Sequence, residues 1–482
     1  MQPIRIGSRR ELFVDDFLIS CFEGDVALHL HQPEPGNVAI STDQPWESSW
    51  AYFAVMKDEN LFRMYYRGFH HGKGEQALGE PMCYAESHDG ITWNKPELGL
   101  FVFEGSSANN IVLGGDLKKF PATSKWHGDL GSDIRWRGDF VPFIDTRSGV
   151  TPDARYKALI RGCRGFHQIA ERRWDYGMYP FQSPDGLNWT LLHDQPVITR
   201  GKFDSQNLGF WDAAHQRYVA FCRDISGQAE FRFSKGQDTE FVAMDSIRGV
   251  RVAFSDDFIQ WTDPVFIEYE DEDIRQLYTN AVQPYARAPH LLIAFPTEFF
   301  ANGSQTEPVF MTSRDGGKRF HRWEGALISR DAPFERDGNR SNYMAHGAVQ
   351  GNARELFVYA TEGYFEGQKR LRRFVYRTDG FVSAQSGSAG GGVVTHPVVF
   401  KGEEMVVNYA TKPGGRLRIE IQNADGQPIA GFRETDCVPM TGDAIEQAVV
   451  WKGEEKLQSL EGQGVRIRFV IQHADIYSFK FT

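Results

Sequence analysis

What this 482-residue chain lacks narrows its reading first. It has five cysteines, Cys21, Cys83, Cys163, Cys222 and Cys437, and no two form a C-x-x-C pair. A dispersed, odd set of thiols excludes a disulfide framework and a paired-cysteine zinc site, and points to buried free thiols. No apolar run reaches the roughly 18 residues of a membrane-spanning helix. The opening stretch MQPIRIGSRRELFVDD has no apolar core of a secretory signal, so a cytoplasmic location is expected. The net charge is −11 and no basic stripe occurs, which argues against a nucleic-acid partner. Phosphate-cradling and dinucleotide fingerprints are missing, as is the G-x-S-x-G elbow of serine hydrolases. No organic cofactor is therefore expected, and no metal site is assigned. His70, His71 and His346 lack ligand spacing, although an ion on a central axis stays open, as does oligomerisation. No segment shows convincing helical periodicity.

What is present is a repeated turn. Ser87-His-Asp-Gly-Ile-Thr-Trp93, Ser183-Pro-Asp-Gly-Leu-Asn-Trp189, Ser255-Asp-Asp-Phe-Ile-Gln-Trp261, Ser313-Arg-Asp-Gly-Gly-Lys-Arg-Phe320 and Arg377-Thr-Asp-Gly-Phe381 each follow a short apolar strand. A second strand lies upstream of each, at 61–68, 155–162, 217–224, 290–298 and 355–363. Innermost strands are expected further upstream again, at 50–57, 139–144, 207–211, 278–284 and 343–349. A supersecondary unit repeated five times predicts a closed radial array, a five-bladed β-propeller. The turn aspartates Asp89, Asp185, Asp257, Asp315 and Asp379 read as structural, because Asp and Ser accept backbone N–H bonds in such turns. The segment 11–19 is a candidate for closing the ring. After Phe381 the small-residue stretch 383–392 reads as a linker. Short alternating strands then predict a β-sandwich. The expected class is thus all-β, with a propeller over 1–384 and a sandwich over 385–482.

The candidate chemistry follows from strand direction. Starts of first strands and ends of second strands share one propeller face, where Glu47, Asp139, Asp204, Glu298 and Glu362 supply carboxylates. Asp16, with its neighbour Asp15, is a further candidate, and alternation lets only one of the two face the channel. Arg67, Arg161 and Arg223 occupy equivalent strand ends in three successive blades. They suit either inter-blade pairing or forked binding of an anionic or hydroxyl-rich sugar. Asn207, Tyr278, Asn280, Tyr343 and His346 are placed to orient a ligand, and Trp46 or Trp50 to stack on a sugar face.

A five-bladed propeller followed by a β-sandwich resembles glycoside hydrolase family 32, the invertase and levanase family. The propeller alone is also similar to the arabinofuranosidases and xylosidases of family 43. The phrases Phe13-Val-Asp-Asp16, Pro45-Trp-Glu47, Tyr84-Ala-Glu-Ser-His-Asp-Gly90 and Arg377-Thr-Asp-Gly-Phe-Val-Ser383 look like a group of bacterial family-32-like proteins. The resemblance implies a glycosidase that cleaves a terminal sugar or small oligosaccharide with a carboxylate pair at the propeller axis. Where family 32 carries motifs of the type N-D-P-N-G, R-D-P and E-C, this chain has Trp46-Glu-Ser-Ser-Trp50, Arg137-Gly-Asp-Phe140 and Phe203-Asp-Ser-Gln-Asn207. A non-catalytic carbohydrate-binding propeller, or an enzyme for a uronic or sulfated sugar, remain alternatives.

Overall fold

The computed structural model describes residues 2–47, 52–68, 81–114, 134–136, 139–164, 176–226, 247–273, 275–300, 305–330, 342–363 and 369–482, with backbone alone for 134–136, 163 and 164. Among these residues the regular structure is β, apart from two short 3-10 turns.

Five antiparallel sheets form the blades of a propeller. Blade 1 runs Phe53–Asp58, Leu61–Arg67, Met82–Ser87 and Ile111–Leu113 from the inside out. Blade 2 is Phe143–Ile144, Tyr156–Arg164, Gly177–Ser183 and Thr190–Leu191, with Ile134–Trp136 on the far end of its second strand. Blade 3 is Leu208–Asp212, Arg217–Ser226, Ile247–Ser255 and Val265–Phe266. Blade 4 holds Val282–Tyr285, Ala288–Ala294, Met311–Ser313 and Arg319–Arg322, with Glu268–Tyr269 parallel on its outer edge. Its second strand is prolonged by a separate hairpin, Thr297–Phe300 against Gln305–Pro308.

Blade 5 comprises Val349–Gln350, Glu355–Glu362 and Arg370–Arg377, and its outer strand is the N-terminal Glu34–Ser41. Glu34–Ser41 is therefore the strand that closes the ring, not the segment 11–19. Closure is tight at the inner edge as well. The Val55 N–H donates to the His346 carbonyl at 2.7 Å, and the His346 N–H donates to Phe53 at 2.9 Å. Gly347 makes this approach possible: its φ is +112°, and a Cβ there would lie 1.9 Å from the Val55 oxygen.

The Ser/Asp turns behave as their chemistry requires. Asp89 accepts from the Ile91 and Thr92 N–H groups at 2.7 and 2.8 Å, and Ser87 accepts from Gly90 at 2.9 Å. Asp185 and Asp257 repeat the pattern, and Asp315 accepts from Lys318 and Arg319. Asp379 differs: it is fully buried, has φ +62°, and takes bonds from Tyr285, Arg287, Asn408 and Ser478. It joins blades 4 and 5 to the second sheet.

That second sheet has eight strands, and its membership does not follow chain order. Ile4–Gly7, Glu11–Leu12 and Ile19–Leu30 pair with Val382–Thr395, Val398–Phe400 and Val465–Phe481, while Met405–Asn423 and Asp443–Ala448 extend the sheet. The expected boundary at 384/385 thus falls inside a strand. Register shifts at Ser386/Gly391 and Thr411/Arg416 interrupt the ladders, and His473 has φ +47° in the facing strand. The strands bend there and the sheet folds on itself as a sandwich. Phe469 and Phe479 lie on one strand, yet their rings are 5.3 Å apart and both pack on Phe13.

The expected linker at 383–392 is a central strand of this sheet, a correction with a steric cause. A Cβ on Gly391 would meet the Glu23 carbonyl at 2.0 Å, so the small residues permit close strand approach rather than a hinge. Cys83, Cys222 and Cys437 are buried free thiols and Cys21 an exposed one.

Candidate functional site at the propeller mouth

Antiparallel register sorts the two faces of the propeller. Phe53 pairs with Tyr66, and Phe62 pairs with Ser87. Starts of inner strands and ends of second strands therefore share one face, and the Asp turns lie on the other. Asp16 belongs to the Asp-turn side: its neighbour Asp15 is ion-paired to Arg314 of the blade 4 turn at 2.7 Å. Asp16 itself is exposed and stands apart from the mouth.

At the mouth three tyrosines from three blades meet. Tyr52 precedes the inner strand of blade 1, Tyr278 that of blade 4, and Tyr343 that of blade 5. The Tyr52 and Tyr343 rings are 5.6 Å apart, and Tyr343 and Tyr278 are 5.7 Å apart, both edge-to-face. Tyr52 also hydrogen-bonds Ser205 of blade 3 at 3.2 Å, which carries the cluster across the axis. Tyr52 and Tyr343 are buried and Tyr278 is half-buried, so together they form a floor with an aromatic edge.

Guanidinium groups border this floor. Arg67 lies 5.1 Å from the Tyr52 ring centre, Arg223 lies 5.5 Å from Tyr278, and Arg248 lies 5.7 Å from Tyr278 and 4.1 Å from Phe299. Arg161 holds the corresponding register position on blade 2. Asp204 opens the inner segment of blade 3, with Oδ1 3.7 Å from Arg223 Nε and no hydrogen bond to that buried oxygen. Asp139 opens the equivalent segment of blade 2 and is 3% exposed.

The other carboxylates face elsewhere. Glu47 is fully buried, accepting from Tyr66 and Lys95 at 2.5 and 2.6 Å and from the Asp43 and Gln44 N–H groups. That set turns it toward the outer strands of blade 1. Glu362 is held by Arg370 and Arg372 of the next strand, both at 2.7 Å. Asp224 is likewise taken by Arg251 at 2.5 Å. Glu298 is adjacent to Phe299 and alternates away from Tyr278, facing Glu307 across its hairpin. Burial, with Glu307 adding, raises its pKa against the pull of Arg275 and Arg322.

The remaining polar candidates are mostly engaged in building the ring. Asn207 donates to the Phe203 and Ser205 carbonyls and accepts the Arg223 N–H. Asn280 donates to the Gln206 carbonyl, whose side chain accepts the Ala281 N–H at 2.7 Å. The His346 ring donates to the Val282 carbonyl at 3.1 Å. It keeps some accessible surface, but protein surrounds it closely enough that burial lowers its pKa to about 4. Trp50, His70 and His71 lie outside the described residues.

Sequence reasoning named Tyr278, Tyr343 and the arginine series but passed over Tyr52, Arg248 and Gln206. Tyr52 had a signal, a tyrosine just ahead of an inner strand, as in blades 4 and 5. Arg248 had none, since it enters from the start of the third strand, Ile247–Ser255. Among the described residues no three His, Cys, Asp or Glu side chains are grouped to hold a metal ion. Among the described residues no helix is long and apolar enough to cross a membrane.

No family model matches the chain, and no curated protein matches it. Solved structures similar to it include a glycosyl hydrolase from Bacteroides ovatus, at 12% identity and a TM-score of 0.41, covering 77% of this chain and 93% of that one. An N-acetylgalactosamine deacetylase from F. plautii, in complex with blood group B trisaccharide, is similar at 11% identity and a TM-score of 0.44, covering 73% and 96%. A fructofuranosidase from Schwanniomyces occidentalis, complexed with fructosylnystose, is similar at 10% identity and a TM-score of 0.39, covering 95% and 98%. Likeness at this level carries no functional weight here, and the residues at the mouth must supply it.

Proposed function

We propose that the protein is a glycoside hydrolase that takes a terminal sugar, or a small oligosaccharide, at the mouth of the propeller. Glycoside hydrolysis needs two carboxyl groups flanking the scissile bond. One protonates the leaving oxygen, and the other attacks the sugar carbon or activates water. The observation that carries the proposal is Asp204, whose buried Oδ1 has no hydrogen bond and faces Arg223 at 3.7 Å beside the tyrosine floor. Asp139, at the equivalent place on the neighbouring blade, is its natural partner. Glu47 and Glu362 are each held by close, hydrogen-bonded ion pairs with Lys95 and with Arg370 and Arg372. Tyr278 offers a face on which a sugar ring can stack.

The test is a panel of aryl glycosides and short oligosaccharides, assayed with the wild-type protein and with Asp139→Asn and Asp204→Asn. Each amide keeps the shape of its carboxyl but cannot transfer a proton or attack. Each is expected to lower kcat by about 100-fold or more, with little change in KM. Turnover at more than half the wild-type rate in both variants would remove the pair from the mechanism. Ligand binding by the wild type without turnover of any glycoside would favour a purely carbohydrate-binding propeller, which the tyrosine floor also suits.

A further inference from the structure

The mouth is richer in unmet donors than a neutral sugar requires. Arg223 is 3% exposed at its side chain, yet only Nη1 is hydrogen-bonded, to the Asp224 carbonyl at 2.8 Å. Its buried Nε has no hydrogen-bond partner, and its one carboxylate neighbour, Asp204, stands off at 3.7 Å. The adjacent Asp224 gives no compensation, since its carboxylate is bound to Arg251 at 2.5 Å. Two further amide donors share the condition. Gln206 Nε2, at the start of the blade 3 inner strand, and Asn342 Nδ2, next to Tyr343, are buried without hydrogen bonds. Both side chains are about 1% exposed.

Leaving a buried donor unpaired is costly, and leaving a buried guanidinium so poorly countered costs more. Arg248 approaches the same Tyr278 ring as Arg223, so two like charges converge on one aromatic edge. Arg67 adds a third at the Tyr52 end of the floor. An anion bound beside Arg223 would be attracted by these neighbouring charges as well. A planar guanidinium matches a carboxylate or sulfate oxygen pair, whereas a hydroxyl uses only one of its donors at a time.

We infer that the sugar bound at this mouth carries an anionic substituent, a carboxylate or a sulfate, which docks on Arg223 beside Arg248, with Arg67 at the far end of the floor. The inference deepens the glycosidase proposal by naming its substrate class, but it concerns binding and can be tested without turnover. Gln206 and Asn342 would donate to the same substituent or to the neighbouring ring oxygens.

The experiment is calorimetric titration of the full chain with glucuronic acid, galacturonic acid, glucose 6-sulfate and galactose 6-sulfate, against glucose and galactose. At least one anionic sugar is expected to bind about 10-fold or more tightly than its neutral counterpart, and its identity tells carboxylate from sulfate. The preference should weaken as salt rises. Arg223→Gln should reduce it to about twofold or less, and Arg223→Lys, which keeps the charge but loses the fork, should retain part of it. Thermal melting of both variants establishes that they are folded. Equal binding of anionic and neutral sugars, or a preference that survives in folded Arg223→Gln, would overturn the inference. Hydrolysis failing while the anionic preference holds would leave this inference standing and remove only the glycosidase proposal.

Discussion

Tyr359 of the last blade donates its hydroxyl to the Gly90 carbonyl in the Asp turn of the first, at 2.6 Å. Tyr65 makes the same bond from blade 1 to Gly186 in the turn of blade 2, at 2.9 Å. The two contacts are equivalent by register, but the first spans the seam between the last blade and the first. Both hydroxyls are buried, so removing one leaves a carbonyl without its partner. Tyr359→Phe is expected to cost about 1–2 kcal/mol in urea unfolding, and Tyr65→Phe about the same. A loss below about 0.3 kcal/mol at Tyr359 would show that the seam is held by its strands alone.

The junction between propeller and sandwich concentrates buried charge. Asp379 is bonded by Arg287 at 2.9 Å, and Arg10 lies 3.5 Å away. Burial would raise its pKa, but the two arginines outweigh that effect and hold it below the usual range. Breaking such a pair leaves uncompensated charge, so Asp379→Asn is expected to cost about 3–5 kcal/mol. Nearby, Glu11 is drawn to about 2 against its own burial, by His290 at 3.4 Å and Arg314 at 2.8 Å. A depressed carboxyl contributes stability that is complete above its unfolded value of 4.5 and is lost as pH falls toward 2. Unfolding midpoints should therefore drop between about pH 4.5 and 2, and Glu11→Gln should flatten that limb. An unchanged acid limb would count against these assignments.

His346 contributes in a different window. Its folded pKa of about 4 lies below the ordinary 6.5, because burial disfavours the imidazolium. The unfolded chain takes up the proton first, so stability falls as pH drops from 6.5 to 4. The effect is on the order of 3 kcal/mol. His346→Gln keeps a donor for the Val282 carbonyl and removes the titration. Urea midpoints at pH 7 and pH 4.5 should differ less in the variant than in the wild type. Equal differences would place the pH sensitivity elsewhere.

Much of the ring was legible in the chain because its signals are local. A Ser, an Asp two residues on and a closing aromatic define four of the turns whatever the rest of the chain does, and the fifth, with Arg377 in place of the Ser, keeps the Asp-Gly and the aromatic. The second strands were legible too, and with them Arg67, Arg161 and Arg223. What escaped depends on partners distant in sequence. Residues 383–392 look like a linker by composition, and only the approach of the strand Ile19–Leu30 makes them a strand. Glu34–Ser41 closes the ring, although nothing in its own composition says so. Among the carboxylates, Glu47 and Glu362 matched Asp139 and Asp204 as strand-end acids. Lys95 holds Glu47, Arg370 and Arg372 hold Glu362, and those contacts are tertiary.

The central claim is that a sugar sits on the tyrosine floor between Asp139 and Asp204. The most direct measurement is a crystal structure of Asp204→Asn with an oligosaccharide that the wild-type protein cleaves. The expected result is a terminal sugar against Tyr278, its glycosidic oxygen flanked by residues 139 and 204, with carboxyl positions about 5–9.5 Å apart. A sugar bound away from the mouth, or the two carboxyl positions separated by much more than about 10 Å, would contradict it.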